Sequence, residues 1–144
     1  MNRVINFRGY NIKNKKWLYG YYFVNRGKHF IVEDGIAEPQ KTWEDFEVDP
    51  KSLGELVANY AGKPIYEGDE VMVESSGGEF KNWYGIVKYD NMNCSFVVKF
   101  KVQCGITQVP ITGDRQRSEN MNVPYYFFYR YKVVGNEYEK TLGK

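Results

Sequence analysis

From Ser95 to Val102 the chain alternates strictly: Phe96, Val98, Phe100 and Val102 fall on one side of an extended backbone, and Val97, Lys99, Lys101 and Gln103 on the other. The same period runs through Tyr125 to Gly135, where Tyr125, Phe127, Tyr129, Tyr131 and Val133 form an apolar row and the even positions include Tyr126, Phe128, Arg130 and Lys132. A period of two places side chains on the faces of a sheet and cannot give a helix an apolar stripe, so these segments predict β-strands. Trp17 to Val24, His29 to Val32, Thr42 to Val48, Glu70 to Glu74 and Trp83 to Tyr89 are further strand candidates. Arg26-Gly27-Lys28 reads as a hairpin tip, Asp90 to Asn93 as a turn and Ser75-Ser76-Gly77-Gly78 as a flexible tip. With 13 Tyr, 9 Phe and 3 Trp in 144 residues, the chain has ample large apolar surface to offset the entropy of folding as about one domain.

One segment carries the other period. Ser52 with Glu55 three residues on makes a capping box, and Leu53, Leu56, Val57 and Tyr60 recur at i, i+3, i+4 and i+7. Gly62 suits a left-handed terminus and Pro64 blocks continuation. A short helix is therefore expected over 52–61, with Gly54 a weak point inside it. The predicted fold class is mainly β with one short helix. Its expected parts are an N-terminal β region over 1–50, a connecting helix over 51–62 and a β region over 63–144. Between the last two strands, 105–124 is a long polar stretch, with Ile106, Val109 and Ile111 as material for a short extra strand.

Catalytic chemistry finds little to work with. His29 is the only histidine and sits in a predicted strand, and Cys94 and Cys104 form no CxxC pair, so no typical structural zinc site is expected and the cysteines read as reduced packing thiols. The acidic pairs Glu33-Asp34, Glu44-Asp45 and Glu67/Asp69 stand at turns or strand ends, where carboxylates bond the backbone. No phosphate-loop, dinucleotide, zinc-protease or nucleophile-elbow motif occurs. The expectation is no enzyme, no catalytic residues, no metal and no cofactor. No apolar run long enough for a membrane span or an export signal is present, which predicts a cytoplasmic protein.

Two groups of residues attract a role. Glu67-Gly68-Asp69 reads as a structural turn, with Gly68 taking positive φ and Asp69 bonding nearby amides. Tyr126, Phe128, Arg130 and Lys132, with Lys99 and Lys101 on another strand and Arg115 and Arg117 on the long loop, form a candidate interaction surface if the strands are neighbours. Rings and cations together bind single-stranded nucleic acid. A net charge of only +2 argues against a strong electrostatic footprint, and Tyr and Arg are equally at home in subunit interfaces.

Gly68-Asp69-Glu70-Val71 and Gly85-Ile86-Val87 resemble the turn-then-strand pattern of SH3-like barrels. Five ordered segments also resemble the YopX family of small phage and prophage proteins. Phe7-Arg8-Gly9-Tyr10 with Lys15-Lys16-Trp17-Leu18-Tyr19-Gly20 is similar to the family's opening. Val48-Asp49-Pro50-Lys51-Ser52-Leu53-Gly54-Glu55 is similar to its V-x-P-x-T-V-G-Q segment, and Ile65-Tyr66-Glu67-Gly68-Asp69-Glu70-Val71 to I-Y-E-G-D-I-V. Gly85-Ile86-Val87 and Val133-Val134-Gly135-Asn136-Glu137-Tyr138-Glu139 match G-x-V and the closing V-I-G-N-I-Y-E. The turn at Tyr60-Ala61-Gly62-Lys63-Pro64 is shorter than the family's, and the 105–124 insert is particular to this chain. The resemblance covers Phe7 to Glu139. It implies a mostly-β protein of a bacterial host cell whose C-terminal half is an SH3-like small barrel, assembling with itself or with a host or phage protein. It implies no activity.

Overall fold

A computed structural model describes residues 5–33, 42–60, 62–75, 83–92, 94–100, 108–110 and 129–143. They form antiparallel sheets and one short helix, so the chain is mainly β as expected. Two compact units divide it, Met1–Leu56 and Val57–Lys144.

In the first unit β1 (Phe7–Asn11), β2 (Lys16–Asn25) and β3 (Lys28–Val32) make a meander with β2 in the middle. Register places Phe7 opposite Gly20 and Gly9 opposite Leu18, and across β2 and β3 Tyr22 opposite Ile31. This face closes on a core of Leu18, Ile31 and Val48, with Phe7, Tyr22 and Leu53 packed against it. Residues 46–49 stitch the two outer strands together. Ile31 N–H donates to Phe46 O and Val48 N–H to His29 O, both at 2.9 Å, while Asp49 N–H donates to Tyr10 O at 2.9 Å. Asn11, with no exposed surface, anchors the same segment. Its amide donates to Glu44 O at 3.0 Å and Glu47 O at 2.8 Å, and its Oδ1 accepts from Asn14 N–H at 2.6 Å. A buried amide of this kind is stable only because every polar atom is matched.

Two expectations fail here. Thr42 to Val48 is not a strand: Trp43–Asp45 is a 310 turn, and only Glu47 pairs in strand fashion, with Phe30. Asp45 turns the chain by accepting from Thr42 N–H at 3.0 Å. Nor is 52–61 a helix. Pro50–Ser52 is a 310 turn and Gly54–Tyr60 is strand β4, whose start pairs with β1 (Phe7 opposite Glu55, Arg8 opposite Gly54). Ser52 does not cap a helix. Its Oγ accepts from Tyr10 N–H at 2.7 Å and donates to Asp49 O at 2.6 Å. A ten-residue helix containing glycine is marginal by itself, whereas β1 offers a ready ladder.

The second unit holds β5 (Lys63–Tyr66), beside β4, and a sheet of β6 (Asp69–Ser75), β7 (Trp83–Asp90), β8 (Ser95–Phe100), β9 (Gln108–Pro110) and β10 (Tyr129–Asn136). The order β10-β6-β7-β8-β9 is a four-strand meander with the last strand laid back on the first. Ile65, Val71, Val87, Val98 and Tyr131 form its core, joined by Val57, Trp83 and Phe100. Each fully buried valine there contributes about 1.5–3 kcal/mol. Val97 is buried as well as Val98, so the polar face expected of β8 is covered at that point. β9 is the short extra strand expected in the insert. The short helix α1 is Glu137–Thr141, directly after β10, and was not anticipated. The tip after Ser75, the rest of 105–124 and the residues 125–128 lie outside the described residues.

Candidate interaction surface

The Glu67-Gly68-Asp69 turn joins β5 to β6 and is held from four sides. Gly68 has φ +91°, a conformation that favours glycine. Its N–H donates to Val87 O and its carbonyl accepts from Glu137 N–H, both at 2.9 Å. Asp69 is buried and accepts from Tyr66 N–H at 2.9 Å and from the Asn136 amide at 3.5 Å. Asn136 in turn caps α1, accepting from Tyr138 N–H at 2.8 Å and Glu139 N–H at 3.3 Å. Lys140 pairs with Glu70, and Lys88 with Glu137. The turn is thus a structural joint, its carboxylate spent on backbone and cap.

Of the residues expected to form a binding surface, Lys99 and Lys132 are described as exposed. Their strands are not neighbours: β6 and β7 lie between them. The register runs Lys132–Met72–Tyr84 across three strands and Ile86–Lys99 across the next pair. Directly opposed residues share a face, so both lysines flank Met72, Tyr84 and Ile86 on the side away from the core, roughly 14 Å apart across the sheet at ~4.8 Å per strand. Arg130 stands opposite Glu74 in the ladder. Tyr126, Phe128, Lys101, Arg115 and Arg117 lie outside the described residues. Cys94 is exposed at the β7–β8 turn with φ +49°, not packed as expected, because the turn turns it outward. Cys104 is not among the described residues.

A second surface escaped the sequence reading. On the side of the first sheet opposite its core, β2 presents Trp17, Tyr19, Tyr21 and Phe23 in a row, with Tyr10 and Arg8 beside them on β1 and Phe30, Val32 and Lys28 on β3. Tyr19 is 44%, Tyr21 61% and Trp43 65% exposed. Trp43 sits edge-on to Phe23 and Phe30, with ring centroids 5.9 and 5.8 Å away, and Phe23 stacks on Phe30 at 5.1 Å. The Arg8 guanidinium lies 4.9 Å from the Trp17 ring. The signal was present in the run Trp17-Leu18-Tyr19-Gly20-Tyr21-Tyr22-Phe23, whose odd positions are all rings. With rings at Tyr22 on the other parity too, composition gives no way to tell which face is covered.

His29 has a structural setting: Nδ1 is 2.7 Å from the Tyr22 hydroxyl and the two rings stack. Among the described residues no three His, Cys, Asp or Glu side chains gather as a metal site would need, and no helix is long and apolar enough to cross a membrane. The Asp45 carboxyl is clearly displaced. The Asn14 amide, Thr42 N–H and Lys13 hold it well below the ordinary value of 3.8. No family model, no curated protein and no solved structure matches the chain.

Proposed function

We propose that this chain is a YopX-like protein of the kind carried by phages and prophages, and that it acts in the bacterial cytoplasm by contact, as a non-enzymatic module that assembles with itself or docks on a host or phage protein. The observation that carries the reading is apolar surface at a sheet rim. Among the described residues β10 is the outer strand of its sheet, and Val133 and Val134 there are 40% and 47% exposed. An apolar edge strand is a template for pairing with another chain.

The family resemblance gains support from where its segments fall. The opening segment and the Val48–Glu55 segment hydrogen-bond to each other through Tyr10, Asp49 and Ser52, and the Ile65–Val71 segment and the closing one through Asp69 and Asn136. Residues matched to a family by such joints specify a fold and leave activity open. The SH3-like description of 63–144 rests on the strand order, with closure into a barrel as part of the proposal.

Sedimentation velocity at micromolar concentration tests the main reading. A species heavier than the 16.9 kDa chain is expected, shifting toward that mass in Val134→Lys. A single species at the mass of one chain overturns it. A second reading, binding of single-stranded nucleic acid, is favoured by the exposed rings on β2 and uses a different surface.

A further inference from the structure

We propose that the outward face of β2 is a track for single-stranded nucleic acid, with Tyr21 and Trp43 as stacking platforms and Lys15 and Arg26 as phosphate contacts. The proposal rests on the nucleic-acid reading and gives it a site.

The geometry starts from the strand itself. Alternate residues on one face lie ~6.8 Å apart, two steps of ~3.4 Å. That is about twice the ~3.4 Å rise per nucleotide of a stacked strand. Bases drawn out of their stack therefore meet one ring after another along Tyr19 and Tyr21, and then Trp43, which sits edge-on to Phe23. Leu18 points into the core on the opposite side and holds the strand in place. Arg8 is buried and lies against Trp17, so it sets the plane of the first ring.

Charge chooses the occupant. The β1–β2 turn puts Lys15 at one end of the row, and the β2–β3 turn puts Arg26 at the other. Both are exposed, and neither meets a carboxylate among the described residues. The acids nearest the row are already matched: Lys13 lies 3.2 Å from Asp45 and 3.7 Å from Glu44, and Lys28 lies 3.9 Å from Glu47. Glu33, just after β3, and Glu55, opposite Phe7 on β4, are further acids of this sheet among the described residues. Cations at both ends of a ring row fit a polyanion that carries flat π faces. An apolar protein surface has no use for the cations, and a duplex keeps its bases stacked away from the rings.

Fluorescence anisotropy with a labelled oligothymidylate, longer than the ~4–16 nucleotides a small β-domain occupies, tests this on the full chain. Binding is expected at ~50 mM salt. With two phosphate contacts the logarithmic salt slope is about −1.4, so affinity falls roughly 7-fold by ~200 mM. Tyr21→Ser and Trp43→Ser each weaken binding at least ~5-fold, Tyr21→Phe retains it, and Lys15→Glu with Arg26→Glu flattens the slope. No binding at ~50 mM salt, a duplex held equally well, or an oligonucleotide affinity indifferent to Tyr21→Ser overturns the proposal. Sedimentation of the same samples separates it from assembly through β10. If Tyr21→Ser lowers the assembled mass and leaves oligonucleotide affinity alone, the face belongs to copies of the chain and the proposal fails. If it lowers oligonucleotide affinity with the mass unchanged, the track stands whatever the oligomer.

Discussion

Asn136 lies opposite Asp69 in the β10–β6 ladder, and its amide donates to the Asp69 carboxylate while its carbonyl oxygen caps α1. One side chain thus ties the last strand, the helix behind it and the β5–β6 turn. Asn136→Ala removes the cap and the contact to Asp69, at a cost of about 2 kcal/mol. Urea unfolding should show a lower midpoint with an unchanged slope. Asp69→Ala strands the buried Tyr66 N–H and should cost about as much. A midpoint within error of wild type in both variants refutes the joint.

Asn11→Leu keeps the branched shape and removes three hydrogen bonds, leaving Glu44 O, Glu47 O and Asn14 N–H without their partner. A loss of about 3 kcal/mol is expected, since stranded buried groups cost about 1–3 kcal/mol each and part of the segment relaxes to water. Amide exchange in β1 should rise along with it.

Gly85 is tightly enclosed. A Cβ there would lie 2.5 Å from Val98 Cγ1 and 2.6 Å from Lys99 O, and the backbone oxygen cannot yield without moving β8. Gly85→Ala should cost about 1–3 kcal/mol or more and disturb the β7–β8 ladder. Gly27→Ala, with open space around its Cβ position but positive φ, should cost about 1 kcal/mol. Equal midpoints for the two variants would contradict this ranking.

The Asp45 carboxyl is held below its ordinary value, first by the Asn14 amide, then by Thr42 N–H and Lys13. A depressed folded-state value means the folded form favours the ionised group. Its stabilisation is complete above about pH 4 and is lost as pH falls below that. Asp45→Asn should therefore give a flatter acid limb than wild type below about pH 4, with the curves parallel at neutral pH. Identical limbs would show that the contact contributes nothing.

Strands were legible where alternation met a clear turn. Gly68-Asp69 and Asp90 to Asn93 marked β6, β7 and β8 because glycine and carboxylate have local turn chemistry. The 52–61 segment reads as a helix because Leu53, Leu56, Val57 and Tyr60 fit the helical period, while Gly54, Leu56 and Ala58 also alternate as in a strand; what decides between them is Tyr10 N–H claiming Ser52 and the open ladder of β1, neither visible in a window of ten residues. The helix at Glu137 carried its own marks, an Asn cap, acids in the first turn and Lys140 in the last, yet five residues are too few for periodicity. The ring row of β2 is not legible in the sequence for a related reason. Which ring row faces out depends on register between β1, β2 and β3, a property of strand pairs and not of any one segment.

Because β10 returns to β6 across more than fifty intervening residues, the second sheet finishes only after the chain has been made through Asn136. Until then β6 keeps one rim bare on the ribosome, and a slow stretch of translation through the insert would lengthen the time that rim is available to strangers.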